Sequence, residues 1–104
     1  QSALEYARQH LNRPLSVEEL AGVVHLSPRQ FTRVFTAETG QSPAKAVEDL
    51  RLEGARLMIE EKRHSLDGVA RETAFRDRRH LREVFIRGFG VPPQAVRRDA
   101  RRVV

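Results

Sequence analysis

The chain copies itself once along its length. A pattern of helix caps, apolar positions and helix terminators occurs twice within 104 residues. Ser16 and Ala21 match Ser65 and Ala70 at an offset of 49. Ser27, Phe31, Val34, Phe35, Gly40 and Pro43 match Asp77, Leu81, Val84, Phe85, Gly90 and Pro93 at an offset of 50, so the second copy carries one extra residue in its middle. Chance does not align so many positions of three different kinds. A duplicated supersecondary unit does, and the fold follows from what one copy can form.

Each copy reads as two short helices. Ser16 is an N-cap, and Glu19 three residues later gives the pattern of a reciprocal capping box. Leu20, Ala21 and Val24 form the apolar stripe of that helix. The run His25-Leu26-Ser27-Pro28 stops it. Ser27 then caps a second helix, Pro28 suits its first position, and Gln30 completes another capping box. Phe31, Val34 and Phe35 are expected to face inward, and Gly40 suits the residue just past the helix end. Two short helices meeting at a turn of three or four residues have helix-turn-helix spacing. In the second copy Ser65 caps a helix bearing Leu66, Val69 and Ala70, and Ala74-Phe75 forms the turn. Asp77 caps a helix bearing Leu81, Val84 and Phe85, and Gly90 and Pro93 close the unit.

Between the copies Ser42-Pro43 starts a helix that runs unbroken to about Glu61, with Val47, Leu50, Leu57 and Met58 near one face. Its Gly54 costs up to about 1 kcal/mol relative to Ala and suits the close approach of another helix. A first segment, about Ala3 to Leu11, carries Leu4, Ala7 and Leu11 at helical spacing until Pro14 interrupts it. Strand signals are weak, because no stretch alternates apolar and polar residues for long. The expectation is an all-α fold of about seven helices. Two helix-turn-helix subdomains, residues 1–41 and 63–104, are joined by a long linker helix, 42–62, as one binding domain.

Charge falls unevenly on this frame. The formal net charge is +5, yet residues 1–74 hold ten Lys or Arg against eleven acids, whereas residues 75–104 hold nine Arg against three acids. Only Lys45 and Lys62 are lysines; the other cations are arginines, whose planar fork matches phosphates and guanine edges. A solvated surface in a GC-rich genome would also favour arginine, so charge needs the topology before it points to nucleic acid. Cysteine is absent, which excludes disulfides, thiolate metal sites and cysteine nucleophiles. No apolar run is long enough to span a bilayer. No charged-then-apolar leader opens the chain, and Gln1 is read as the start of a piece of a longer protein, with sensor and dimerisation functions elsewhere.

The second helix of such a unit can lie in the major groove with its N-terminal residues at base edges. The outward residues there are Arg29, Thr32, Arg33 and Thr36 in the first copy and Arg78, Arg79, Arg82 and Glu83 in the second. The groove returns to the same side of the duplex after about 34 Å, and some 18 residues of linker helix give a rod of roughly 27 Å. One chain is then able to read two successive grooves without dimerising, on half-sites that need not be palindromic. Helix starts at Ser16, Ser27, Ser42, Ser65 and Asp77 are candidates for phosphate contacts. Among these, Ser27 and Ser42 with the adjoining Gln41 are the selected ones, and Arg76, Arg87, Arg97 and Arg98 are the ionic candidates. If six or so phosphates are neutralised, affinity is expected to fall roughly a thousandfold as salt rises from about 50 to 200 mM.

The stretches SVEELAGVVHLSPRQFTRVFTAETGQSP and SLDGVARETAFRDRRHLREVFIRGFGVPP resemble the two helix-turn-helix subdomains of AraC/XylS family transcription regulators. LRLEGARLMIEE is similar to that family's connecting helix, and the resemblance runs from about Ala3 to Arg98. SPRQFTRVF followed by PPQAVRR is similar to a subgroup with an N-terminal PfpI-type, amidotransferase-like sensor domain, which is not present in these residues. The resemblance implies base readers at Arg29, Thr32 and Arg33 and at Arg78, Arg79 and Glu83. The family often has Arg where Glu83 stands. Glu83 either accepts from a cytosine amino group or braces Arg79 or Arg87 one turn away, and bracing is favoured. The family also often has Gly in the turns, where this chain has His25 and Ala74. Because Ala is uncomfortable in the left-handed region, the second turn is expected to be shaped differently.

The remaining residues read as structural. Phe31, Phe35, Phe75, Phe85 and Phe89 are spaced for a core rather than for base stacking. His10, His25, His64 and His80 lack metal-ligand spacing and an accompanying carboxylate cluster, so no metal or cofactor is expected. Ser16, Ser27 and Ser65 are caps rather than nucleophiles, Tyr6 is a partly buried anchor, and nothing marks an enzyme. The leading function is sequence-specific binding of double-stranded DNA by a cytoplasmic, nucleoid-associated regulator, with RNA polymerase as a further candidate partner. The alternatives are a helical protein-interaction module, which needs an exposed apolar stripe, and a nonspecific RNA-binding domain, which needs exposed aromatics.

Overall fold

A computed structural model describes the backbone of residues 1–102 and side chains as far as Arg97. Among the described residues there are seven helices and no strand: α1 (Ala3–Gln9), α2 (Val17–Val23), α3 (Pro28–Thr39), α4 (Pro43–Glu61), α5 (Leu66–Glu72), α6 (Arg78–Phe89) and α7 (Pro93–Arg102). This is the all-helical fold expected from the spacing. Internal contacts divide the chain into two units, Gln1–Leu50 and Arg51–Val104, with the division inside α4.

Local chemistry explains where the helices begin. Ser2, Ser16, Ser27 and Ser65 each sit in extended backbone and accept a hydrogen bond from the amide three residues on. Asp77 does the same through Oδ1, which accepts from the His80 amide at 2.7 Å. Each cap satisfies a backbone donor that the helix itself leaves open. Ser27 and Gln30 form the reciprocal capping box. α3 and α6 end on Gly40 and Gly90, with φ of 75° and 77°, a left-handed conformation that a residue without Cβ adopts freely. α1 stops at Gln9 rather than Leu11, where His10 Nδ1–H donates to the Tyr6 carbonyl at 2.7 Å.

In the first unit the core joins Ala3, Ala7, Leu20, Ala21, Phe31 and Val47, with Tyr6, Leu15, Val24, Leu26, Phe35 and Leu50 packed against it. Glu19 does not complete the capping box expected of it. Its amide donates to Ser16 Oγ at 3.0 Å, but its carboxylate turns to Arg13, with Nη1 to Oε1 at 3.0 Å, and accepts a bond from the Tyr6 hydroxyl. A charge-assisted, forked bond outcompetes the weaker bond to a backbone amide. The guanidinium and phenol hold the Glu19 carboxyl down to about 2, and the same carboxylate raises the Arg13 guanidinium above its usual range.

Val34 was expected inside and is 39% exposed. It lines a cavity of about 320 Å³ together with Leu4, Leu26 and Phe35. Its counterpart Val84 is 1% exposed.

In the second unit Leu52, Ala55, Ile59, Val69, Ala70, Phe75, Leu81, Val84 and Phe85 form the core, with Met58, Leu66, Phe89 and Val96 against it. Leu57 shares a face of α4 with Val47, Leu50 and Met58 by helical spacing, yet it is 50% exposed. One continuous helix serves two cores, the first through Val47 and the second through Leu52, Ala55 and Ile59, so no single stripe runs its length. A close approach occurs at Gly88 of α6, where a Cβ would lie 2.7 Å from Leu52 Cδ1. Arg51, half-buried, donates to the Thr73 carbonyl at the end of α5, and burial lowers its pKa.

The two turns have one shape, contrary to the expected difference. His25 and Ala74 sit at φ 60° and 58°. After each, an amide reaches back across the helix end: Leu26 to the Ala21 carbonyl at 3.0 Å and Phe75 to the Ala70 carbonyl at 2.9 Å. That backward bond is the Schellman closure, and a buried or half-buried apolar residue follows the left-handed one in both units. The extra residue of the second copy, at Arg76, lies after this closure and leaves it intact.

Candidate nucleic-acid interface

The turn in each unit fixes where the second helix starts, and the cap fixes which residues lie on its first exposed turns. In α3, Arg29, Thr32, Arg33 and Thr36 are all exposed, while Phe31 is buried on the opposite side. In α6, Arg78, Arg79, Arg82 and Glu83 are exposed, while Leu81, Val84 and Phe85 are buried. All eight residues singled out from sequence therefore lie on solvent-facing ridges, four on each helix. The Phe side chains pack in or against the cores, not on a base-stacking face: Phe31 meets Phe35 at 5.5 Å and Phe85 meets Phe89 edge-on at 4.6 Å between ring centroids.

The two ridges differ in how their cations are held. No acidic partner is described for Arg29 or Arg33. In α6, Arg79 Nε lies 3.5 Å from Glu83 Oε1, one turn along the helix, and Arg78 Nε lies 3.9 Å from Asp67 Oδ1 on α5. The Asp67 contact crosses the turn, and no helical spacing signals it. Arg76 Nε stands 4.0 Å from Asp77, whose carboxylate already caps His80. His80 Nδ1 accepts from the Arg76 amide at 3.2 Å and its ring packs edge-on against Phe75, which fixes the path of the turn into α6.

The phosphate candidates fall into different settings. Arg76 and Arg87 are exposed. Arg97 is half-buried and donates from Nη2 to the His64 carbonyl at 2.7 Å. Arg98 lies outside the described side chains. The Ser27 hydroxyl is doubly engaged with Gln30, donating to Oε1 and accepting from the amide. Ser42 is exposed, and its Oγ accepts from the Lys45 amide at 3.2 Å. Gln41 Nε2 donates to Asp49, which also holds Lys45 Nζ at 2.8 Å. This pair raises the Lys45 amine and lowers the Asp49 carboxyl. Among the described residues no group of three or more potential ligands is placed to hold a metal ion, and no helix is long and apolar enough to cross a membrane.

Two capped bihelical units, each with a left-handed turn and an arginine-bearing second helix, define a tandem helix-turn-helix domain. Residues 20–99 match the family described as the helix-turn-helix domain. The chain is 38% identical over 82 residues to a helix-turn-helix-type transcriptional regulator of Mycobacterium tuberculosis, covering 79% of this chain and 32% of the relative. Among solved structures it is similar to a transcriptional regulator with an AraC-type DNA-binding domain from Chromobacterium violaceum, with a TM-score of 0.90 at 25% identity over 95% of this chain and 88% of that one. It is also similar to the DNA-binding domain of the global transcriptional factor AdpA in complex with a target DNA, with a TM-score of 0.86 at 33% identity over 95% and 89% of the two chains. The chain belongs to the AraC-type helix-turn-helix family, whose members among its relatives are transcriptional regulators. It spans about a third of the length of the curated relatives it matches.

Proposed function

We propose that this chain is the sequence-specific, double-stranded-DNA-binding part of a transcription regulator. α3 occupies one major groove and α6 the next, on two half-sites in tandem. Arg29, Thr32, Arg33 and Thr36 read the first site, and Arg78, Arg79, Arg82 and Glu83 face the second. Ser27, Gln41, Ser42, Arg76 and Arg87 hold the backbone, with Arg97 and Arg98 as further cations. The division of labour is a linker helix, 42–62, between reading subdomains 1–41 and 63–104. The observation that carries this reading is the repeated geometry: two turns with the same left-handed closure, each presenting an exposed ridge that begins with arginine. The complex of AdpA with its target DNA supports it, since that domain is similar over nearly the whole chain. The chemistry is binding rather than catalysis.

In the longer protein we place a sensor domain of the PfpI-type, amidotransferase-like class before this domain, on the resemblance of SPRQFTRVF and PPQAVRR. RNA polymerase is the further partner and the bacterial nucleoid in the cytoplasm the site of action. The test is selection of bound duplexes from random DNA, followed by mobility shifts with unrelated competitor. Two enriched motifs about one helical turn apart are expected. Binding that competitor removes as readily as the selected duplex would overturn the reading.

A further inference from the structure

We propose that Asp67 and Glu83 are specificity-determining positions, which act by holding Arg78 and Arg79 back from indiscriminate phosphate contact. The inference rests on the DNA-reading function above and concerns how that site discriminates.

Both pairs engage the same edge of the guanidinium. Glu83 Oε1 faces Arg79 Nε at 3.5 Å and Asp67 Oδ1 faces Arg78 Nε at 3.9 Å. An acid on Nε leaves the terminal Nη1–Nη2 fork open, and that fork makes the two-bond contact to guanine O6 and N7. All four side chains are well exposed, Arg79 at 89%, so these pairs contribute little to folding in water.

Their effect appears at a duplex. Phosphates carry no sequence information, and an unrestrained arginine binds any of them. A carboxylate beside the arginine competes with phosphate for it and is itself repelled by the backbone. Only a site offering a matched base edge repays the cost, which is discrimination by a built-in penalty.

The placement of the acids fits this role. α6 and the turn before it carry Arg76, Arg78, Arg79, Arg82 and Arg87, a density that would hold any DNA, and both acids, Glu83 of α6 and Asp67 of α5, pair with arginines of that cluster. α3 carries only Arg29 and Arg33, and no acid is described against either. Asp77 differs from Asp67 and Glu83 because its carboxylate is committed to the His80 amide.

The test compares the full chain with Glu83→Gln, Asp67→Asn and the double variant. Binding is measured by fluorescence anisotropy on a duplex selected by the unaltered chain and on a scrambled duplex of equal length, from 50 to 200 mM salt. Each single variant is expected to bind the scrambled duplex about threefold more tightly, with little gain on the selected one. The ratio between duplexes falls, and the salt slope steepens by about 0.9 for each phosphate newly engaged. Glu83→Asp keeps the ratio, and thermal stability stays constant across the set. An unchanged ratio, or equal weakening on both duplexes, overturns the proposal. So does a Glu83→Gln loss confined to one base pair, which would make Glu83 a direct reader. Failure of the unaltered chain to prefer its selected duplex overturns instead the DNA-reading function itself, and is seen before any variant is made.

Discussion

His25 and Ala74 hold the same left-handed backbone, φ 60° and 58°, at matched positions of the two units. Each is followed by the amide that closes the helix end, so the turn is fixed by hydrogen bonds that a strained residue must accommodate. Left-handed backbone costs an L-residue with a Cβ roughly 1–2 kcal/mol, and Ala has no side-chain polar group to offset it.

Ala74→Gly is therefore expected to stabilise the chain. Relief of the strain, less the extra chain entropy of Gly of about 0.5–1 kcal/mol, leaves a gain of about 0.5–1 kcal/mol. Urea unfolding at neutral pH measures it. A β-branched residue there, Ala74→Val, should move stability in the opposite direction.

Glu19 gives the chain an acid-sensitive contact. Its carboxyl is held down to about 2 in the folded state against an ordinary 4.5, first by the Arg13 hydrogen bond and then by the Tyr6 hydroxyl. A depressed folded pKa gives stability that is present above the unfolded value and lost as pH falls through the folded one. Glu19→Gln should be less stable than the unaltered chain at pH 7. The difference should shrink from about pH 4.5 downward and vanish near pH 2, as read from paired urea titrations.

Val34 and Val84 are equivalent in the repeat and opposite in burial, at 39% and 1% exposed. Removing two methyl groups from a filled site costs transfer energy and leaves a cavity. Val84→Ala should cost about 2 kcal/mol, against well under 1 for Val34→Ala, which already borders open space. Similar losses at the two positions would contradict the packing described for α3.

Base readers and backbone cations should separate in binding experiments. Arg33→Ala and Arg79→Ala should each cost about 1–3 kcal/mol at particular base pairs and relax preference there. Arg87→Ala should weaken all duplexes alike and lower the salt slope by about 1. Mobility shifts on single-base variants of a selected site read the first effect, and a salt titration reads the second.

What the sequence determined by itself was whatever is settled within about four residues. Ser27 caps its helix because its hydroxyl reaches the Gln30 amide, Gly40 ends one because it lacks a Cβ, and Pro28 fits a helix start; none of these needs a partner from elsewhere in the chain. Repetition of such local signals revealed the two units and put the eight ridge residues on solvent-facing sides. The tertiary structure decided everything that depends on a choice between distant partners. Glu19 had a local amide available and took Arg13 and Tyr6, because a forked charged bond is the stronger one. Leu57 is apolar but exposed, because α4 gives Val47 to one core and Leu52, Ala55 and Ile59 to another, so helical spacing along it does not report a single buried stripe. Arg78 meets Asp67 only because the turn folds α5 back beside the start of α6. Helical periodicity reports one helix at a time, whereas packing and ion pairing are settled between helices.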